Sequence, residues 1–370
     1  MESVSSTRRA PYEFVEFFSG SGLVSYALRE HFQVVWANDN SKKKAEVYTA
    51  NHGMESFHLK DINLVKGGDI PESSLSWASF PCQDLSLAGA SGGIHAERSG
   101  LVWQWLRVLD EMKEKPPILV AENVVGLVSA KGGTHYQVLH RALVERGYKA
   151  GAILLDAVQF IPQSRPRIFV IAVHESVPVP SKLIGAGPSW LHSKAVQSAA
   201  IGLENWIWWH LPIPEIREQT LEDLVEWDAP CDDEEKTAKN LALIPERHLN
   251  RLLNEDINVA PGYKRTRNGK QTLELRFDNI AGCLRTPQGG SSRQLLVLKK
   301  DGKLSTRLLT AREIARLMGA PDEYKLPGSY NDGYKAMGDA VAVPVAEYLA
   351  NQLLSPLMNA CLNRMSRSVV

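Results

Sequence analysis

The first 175 residues alternate short runs of β-branched and aromatic residues with longer stretches of helical period, an order that few folds accommodate. Candidate strands are Phe14–Phe18, Val34–Ala37, Leu75–Ser79, Ile118–Glu122, Gly151–Leu155 and Ile168–Val173. Helical patterns lie between them near Leu23–His31, Lys42–Ala50, Leu101–Met112 and His135–Arg146. Strand–helix alternation predicts an α/β fold, Rossmann-like, with a parallel or mostly parallel sheet covered on both faces. Folds of this kind bind ligands outside the carboxyl ends of their strands, near the topological switch point.

After His174 the texture changes. Residues 176–214 are rich in Pro, Gly and Trp, including Trp190, Trp206, Trp208 and Trp209. Two charged stretches follow, and a formal net charge of zero hides them. Glu215–Glu235 carries ten acidic residues against one Arg, a net of −9, and reads as a solvated face. Gly262–Arg307 carries eleven basic residues against three acidic, a net of +8, with a Gly-Gly pair and several Gln, Ser and Thr. Such a surface suits a polyanion. Helical period returns at Thr310–Met318 and from Val343 to about Leu362. The expected organisation is a first domain over 1–175, a smaller, irregular domain over 176–305, and a return to the first over 306–370.

Hydrophobic residues at 44% and charged residues at 23% exclude wholesale disorder. No window approaches about 18 uninterrupted apolar residues, and the N-terminus lacks the apolar core of a secretory signal. A soluble, intracellular protein is expected. The four cysteines, Cys82, Cys231, Cys283 and Cys361, form no C-x-x-C pair, and the histidines show no ligand spacing. Neither a disulfide framework nor a metal is expected.

Chemistry concentrates at the strand ends. The first strand runs into Phe18, Ser19, Gly20, Ser21 and Gly22, a turn that lets backbone approach a ligand before a helix that begins at Leu23. Lacking a third glycine, it is a weak dinucleotide fingerprint and taken alone reads first as a tight structural turn. The second strand ends at Asn38-Asp39, where an acid can accept from both hydroxyls of a ribose. A third end offers Asp61-Ile62, suited to an adenine amino group and its apolar face. The three ends together suggest a nucleoside-type cofactor. The fourth strand meets Pro81-Cys82-Gln83. A lone cysteine is usually an inert core thiol, but this one follows a strand end in a polar, Gly-rich segment reaching Gly100. The fifth strand ends in Glu122-Asn123-Val124, placing an acid where it can share a crevice with Cys82. Gln163, Arg165 and Arg167 then alternate into a strand, so period two puts all three on one face.

The ordered set FxGxG, PCQ, ENV and QxRxR resembles the DNA (cytosine-5)-methyltransferases. Arg307–Gly319 and Gly338-Asp339-Ala340-Val341 add two later blocks in the family's order, so the likeness spans 14–175 and 305–355. It implies S-adenosylmethionine as methyl donor, held by Phe18 to Leu23, Asp39, Asn40, Asp61, Ile62, Pro81, Leu101, Asp339 and Val341. It implies Cys82 as the nucleophile that adds to cytosine C6, with Glu122 at N3 and the exocyclic amine. Arg165 and Arg167 would hold the base carbonyl and neighbouring backbone. A stacked base hides C6, so the cytosine must be flipped out. Gln83–Gly100 would close over it.

Segment 176–305 falls at the family's variable target-recognition region, which implies double-stranded DNA as partner. Gln83 and Gln163 join the expected DNA contacts. Lys264, Arg265, Arg267 and Lys270 flank an Asn268-Gly269 turn, look like a hairpin tip, and are expected on phosphates. Arg285, Thr286, Gln288, Gly289, Gly290 and Arg293 are expected to read base edges. A monomer is expected, in a cytoplasmic, bacterial or phage-type setting, with a cognate restriction endonuclease as functional partner.

Four positions depart from the family pattern: Glu16 stands for Asp, Leu23 for Gly, Asn40 for an aromatic residue, and Asp339 for Asn. They bear on cofactor affinity more than on reaction type. A catalytically silent DNA-binding relative and an RNA methyltransferase are the competing readings. The intact nucleophile and acid disfavour the first, and the long recognition segment the second.

Overall fold

The computed structural model describes residues 12–81, 100–267, 269–284 and 293–367. Seven strands form one sheet: β1 (Tyr12–Phe17), β2 (Phe32–Asp39), β3 (Phe57–Leu59), β4 (Leu75–Ser79), β5 (Ile118–Val124), β6 (Tyr148–Asp156) and β7 (Pro166–His174). Their order is β3-β2-β1-β4-β5-β7-β6. Pairs β2–β3, β1–β2, β1–β4 and β4–β5 are parallel, whereas β7 runs antiparallel to β5. The order reverses between β1 and β4, so their carboxyl ends form the switch point.

Helices α1 (Leu23–Leu28), α2 (Lys42–His52) and α3 (Leu101–Glu111) follow strand ends. In α3, Val102, Trp105, Leu106, Val108 and Leu109 share one buried stripe, as helical spacing demands. Trp105 is fully buried and gives its indole N–H to Ser76 Oγ on β4 at 3.1 Å. Truncating such a residue costs about 3–5 kcal/mol. Gly67 permits a close approach: a Cβ there would stand 2.2 Å from the Val108 carbonyl. Arg107 donates to the carbonyls of Ile62 and Val65, both at 3.0 Å, tying the segment after β3 to α3.

Contacts group the chain into two compact units, one of residues 1–155, 166–213 and 345–370, the other of 156–165 and 214–344. These contact groups cut the chain elsewhere than at 175 and 305. Within the first unit Tyr12 Oη donates to Asn359 Oδ1 at 2.7 Å, fastening the first strand to the C-terminal helix.

The second unit is more regular than expected. It holds a four-stranded antiparallel sheet, ordered β11-β10-β8-β9, of β8 (Val259–Arg267), β9 (Lys270–Leu275), β10 (Leu295–Lys300) and β11 (Lys303–Leu308). Leu273, Leu275, Leu295, Val297, Ile244 and Leu252 form its core. Arg267 pairs with Lys270, so β8 and β9 form the expected hairpin; Asn268 lies outside the described residues. Lys300 likewise pairs with Lys303, with Asp301 (φ 51°) and Gly302 (φ 76°) both left-handed, as a tight hairpin turn requires.

Candidate active site

At the end of β1, Phe18 (φ 56°), Gly20 (φ 58°) and Gly22 (φ 84°) fold the chain into a tight left-handed turn. Ser19 N–H donates to the Asn38 carbonyl at 2.9 Å, which docks the turn on β2. Gly22 is required there, since a Cβ would come within 2.6 Å of the His52 ring. Ser21 and Leu23 are buried beneath the turn and act as its packing.

Asp39 is 8% exposed and directs both oxygens at main chain. Its Oδ2 accepts from Gly20 N–H at 3.0 Å and its Oδ1 from Ser41 N–H at 2.8 Å. Asn38 Nδ2 donates to the carbonyls of His58 and Lys60, joining β2 to β3. Beyond β3, Asp61 is exposed and accepts from Asn63, while Ile62 is buried in the core. Asn40 and Pro81 are exposed and Leu101 is half-buried.

These residues fit an adenosyl cofactor. A Cβ at Gly20 would meet nothing nearer than 4.0 Å, so the turn is open to close approach. Each Asp39 oxygen keeps a lone pair beyond its one main-chain hydrogen bond.

Reading the sequence missed a buried group under this turn. Glu16 is 1% exposed, and Ser25 Oγ hydrogen-bonds its Oε2. Burial pushes its carboxyl up to about 8, with Asp39 adding to the rise. Only its departure from the family Asp marked it in the sequence.

Cys82 and Gln83 lie outside the described residues. The approach to them is fixed by Asn123, which donates to the Phe80 carbonyl at 2.9 Å and so joins the ends of β4 and β5. Beside it Glu122, nearly buried, meets Arg167: Oε1 to Nε is 3.1 Å. The two are brought together because β7 starts where β5 ends, with Val124 opposite Arg167.

Gln163 and Arg165 have other partners, within the second unit. Gln163 Nε2 donates to the Leu317 carbonyl, and its Oε1 accepts from Leu284 N–H at 3.4 Å. Arg165, 2% exposed, donates to the carbonyls of Leu284 (3.2 Å), Gly338 (2.8 Å) and Ala340 (2.7 Å). Both side chains thus grip the Leu284 peptide. Period two predicted one shared face for Gln163, Arg165 and Arg167, but the chain divides after Arg165 and their partners differ. In the same unit Asp339 is exposed and Val341 buried.

A second unread feature is the buried pair Arg307–Glu313, at 2.7 and 2.5 Å. Glu313 also closes a capping box with Thr310 at the start of helix Ala311–Arg316. Among the DNA-contact candidates, Arg265 pairs with Glu274 at 3.2 Å and Lys264 is half-buried. Arg293 donates to Asn331 Oδ1 and lies over the Tyr330 ring. Arg285, Thr286, Gln288, Gly289 and Gly290 lie outside the described residues, and of Arg267 only the main chain is described. Among the described residues no His, Cys, Asp and Glu cluster could hold a metal, and no helix is long and apolar enough to cross a membrane.

A mostly parallel sheet with a glycine turn after its first strand and an acid after its second defines the class: the S-adenosylmethionine-dependent methyltransferase fold. Solved structures share that fold. The S. pombe Dnmt2 methyltransferase aligns with a TM-score of 0.59 over 94% of this chain and 98% of that one, at 22% identity. A triple mutant of Spodoptera frugiperda DNMT2 aligns at 0.61 over 94% and 99%, at 18% identity.

The C-5 cytosine-specific DNA methylase model matches residues 12–355, and the chain belongs to that family. It is a DNA (cytosine-5-)-methyltransferase. Type II methyltransferase M.HhaI of Haemophilus parahaemolyticus is 27% identical over 346 residues, 93% of this chain and 94% of that protein. Type II methyltransferase M.Bsp6I of Bacillus sp. is 24% identical over 352 residues, 94% and 99% respectively. Family and fold together imply S-adenosylmethionine as cofactor.

Proposed function

We propose that the protein methylates C5 of a flipped-out cytosine within a specific sequence of double-stranded DNA, through a covalent Cys82 adduct at C6. The observation that carries the reading is the Glu122–Arg167 pair, fixed beside the strand end that leads to Pro81 and Cys82.

Cytosine C5 is a poor nucleophile, so the Cys82 thiolate first adds to C6 and pushes the C5–C6 π electrons toward C5. Glu122 hydrogen-bonds N3 and the exocyclic amine, supporting protonation as the adduct forms. Arg167 orients Glu122 and holds the base carbonyl. S-adenosylmethionine, held by the Phe18–Gly22 turn, Asp39, Asp61 and Ile62, supplies an electrophilic methyl group when bound. A base then takes the C5 proton, the C5–C6 double bond re-forms, and the thiolate leaves.

Residues 176–305 supply target recognition. Lys264, Arg265, Arg267 and Lys270 meet phosphates; Arg285, Thr286, Gln288, Gly289, Gly290 and Arg293 read bases, and Gln83 and Gln163 count among the DNA contacts. That M.Bsp6I and M.HhaI are type II methyltransferases favours a restriction–modification setting, and we place the protein in the cytoplasm as an enzyme acting on DNA. Bisulfite-type sequencing of DNA from cells expressing the protein tests the reading. One methylated cytosine context is expected, and unmodified DNA overturns it. Replacing Arg285, Gln288 or Arg293 should lower the ratio of target to non-target methylation, whereas neutralising a hairpin cation weakens binding to every sequence.

A further inference from the structure

Beneath the cofactor turn, one polar chain crosses three elements of the first unit. Glu16 on β1 is held by Ser25 Oγ on α1, and Ser25 Oγ lies 3.0 Å from Tyr48 Oη on α2. Strand β1 leads into the Phe18–Gly22 turn, α1 leads out of it, and α2 follows Asp39. All three side chains are buried, Glu16 to 1% and Tyr48 completely.

The surroundings offer Glu16 no counter-charge. Asp39 faces it from β2, Ser25 from α1 and Tyr48 from α2. In register it stands between Ala37 of β2 and Trp77 of β4. Further along α2, His52 packs against Gly22 and is held neutral by burial and by Arg29 at the end of α1. No cation acts on Glu16 among the described residues. A buried carboxyl without a cation keeps its proton.

We propose that Glu16 is a positioning residue for the cofactor: as an uncharged acid it ties β1 to α1 and α2 and so sets the Phe18–Gly22 turn and Asp39, and losing its proton loosens that site. The inference rests on the cofactor reading above. The glutamate carboxyl ends at Ser25 Oγ. The carboxyl pushed up to about 8 places the change just above neutrality. An ionised Glu16 sits buried near the charge of Asp39, and the turn relaxes to admit water.

Calorimetric binding of S-adenosylmethionine to the full chain, from about pH 6.5 to about pH 9.5, tests it against Glu16→Gln and Glu16→Ala. The α-amino group of the ligand titrates near pH 8 itself, so the ratio of wild-type to Glu16→Gln dissociation constants at each pH isolates the protein's group. That ratio should stay near one at about pH 6.5 and rise roughly three- to tenfold by about pH 9.5. Glu16→Ala, which keeps neither hydrogen bond nor volume, should bind about tenfold more weakly than Glu16→Gln at every pH. A ratio that stays flat across the range overturns the proposal, as does a Glu16→Gln protein that unfolds as the wild type does yet binds tenfold more weakly at about pH 6.5. A wild-type chain that binds no S-adenosylmethionine at any pH instead overturns the cofactor reading, and the positioning role with it.

Discussion

Glu122 and Arg167 face each other at 3.1 Å where β5 ends and β7 begins, the acid 8% and the guanidinium 16% exposed. Neither lies on a free loop. Their separation is set by the antiparallel register that puts Val124 opposite Arg167.

Glu122→Gln should therefore cut turnover by about 10²–10⁴-fold, since it removes the group placed to manage a proton at the base. Arg167→Ala should cost about 10²–10³-fold, and the double variant less than the product of the two. Single-turnover methylation of a cognate duplex measures this. S-adenosylmethionine affinity should not move. Fully multiplicative losses would show that the two act independently.

Cys82→Ala should abolish methylation while target DNA still binds. A duplex carrying 5-fluorocytosine at the target should trap the unaltered enzyme covalently, because fluorine blocks the final elimination. Denaturing electrophoresis of the trapped species checks it. Methyl transfer by the alanine variant at even a few per cent of the parent rate rules out the covalent route.

Asp39→Ala removes the acceptor that organises Gly20 and Ser41. A lost charge-assisted hydrogen bond costs about 1.5–3 kcal/mol, so S-adenosylmethionine should bind on the order of tenfold more weakly or worse. Unchanged calorimetric affinity would make Asp39 a turn-former only.

Acid should find a weak point at two histidines. Burial lowers His52 and His192 from 6.5 to about 4. Their neutral forms are thus favoured by folding: the stability they contribute is complete above about pH 6.5 and is lost as pH falls toward 4. A non-titrating His52→Leu should lose about 1–2 kcal/mol less than wild type between about pH 6.5 and pH 4.5, read from urea midpoints. Parallel pH profiles would contradict this.

Much of the first sheet was legible because its strands are dense in β-branched and aromatic residues. Leu75–Ser79 appears with the same bounds, and Phe14–Phe18 and Ile118–Glu122 shift by two residues or fewer at each end. The third strand, Phe57–Leu59, was placed only by its end at Asp61, because three residues carry no period. Of the second sheet only the hairpin tip at Lys264–Lys270 could be read; β10 and β11 escaped, because Lys299, Lys300 and Lys303 mask the apolar alternation of a half-buried hairpin. At the site, strand-end residues such as Asp39 and Glu122 could be picked out because topology aims them at one edge. Arg165 could not be separated from Arg167, because alternation gives a face and not the unit that claims it. The burial of Glu16, Arg307 and Glu313 could not be read: a buried ionisable residue looks like any other in a sequence until its neighbours are known.

The reversed direction of β7 has one more consequence. A couple made by strand register shifts only if the sheet shears, so loops can lengthen, shorten or be replaced around it without disturbing it. On the proposed function, recognition and chemistry are then separable inheritances: residues 176–305 can be exchanged for a new target sequence while the acid and its guanidinium stay where the backbone ladder holds them.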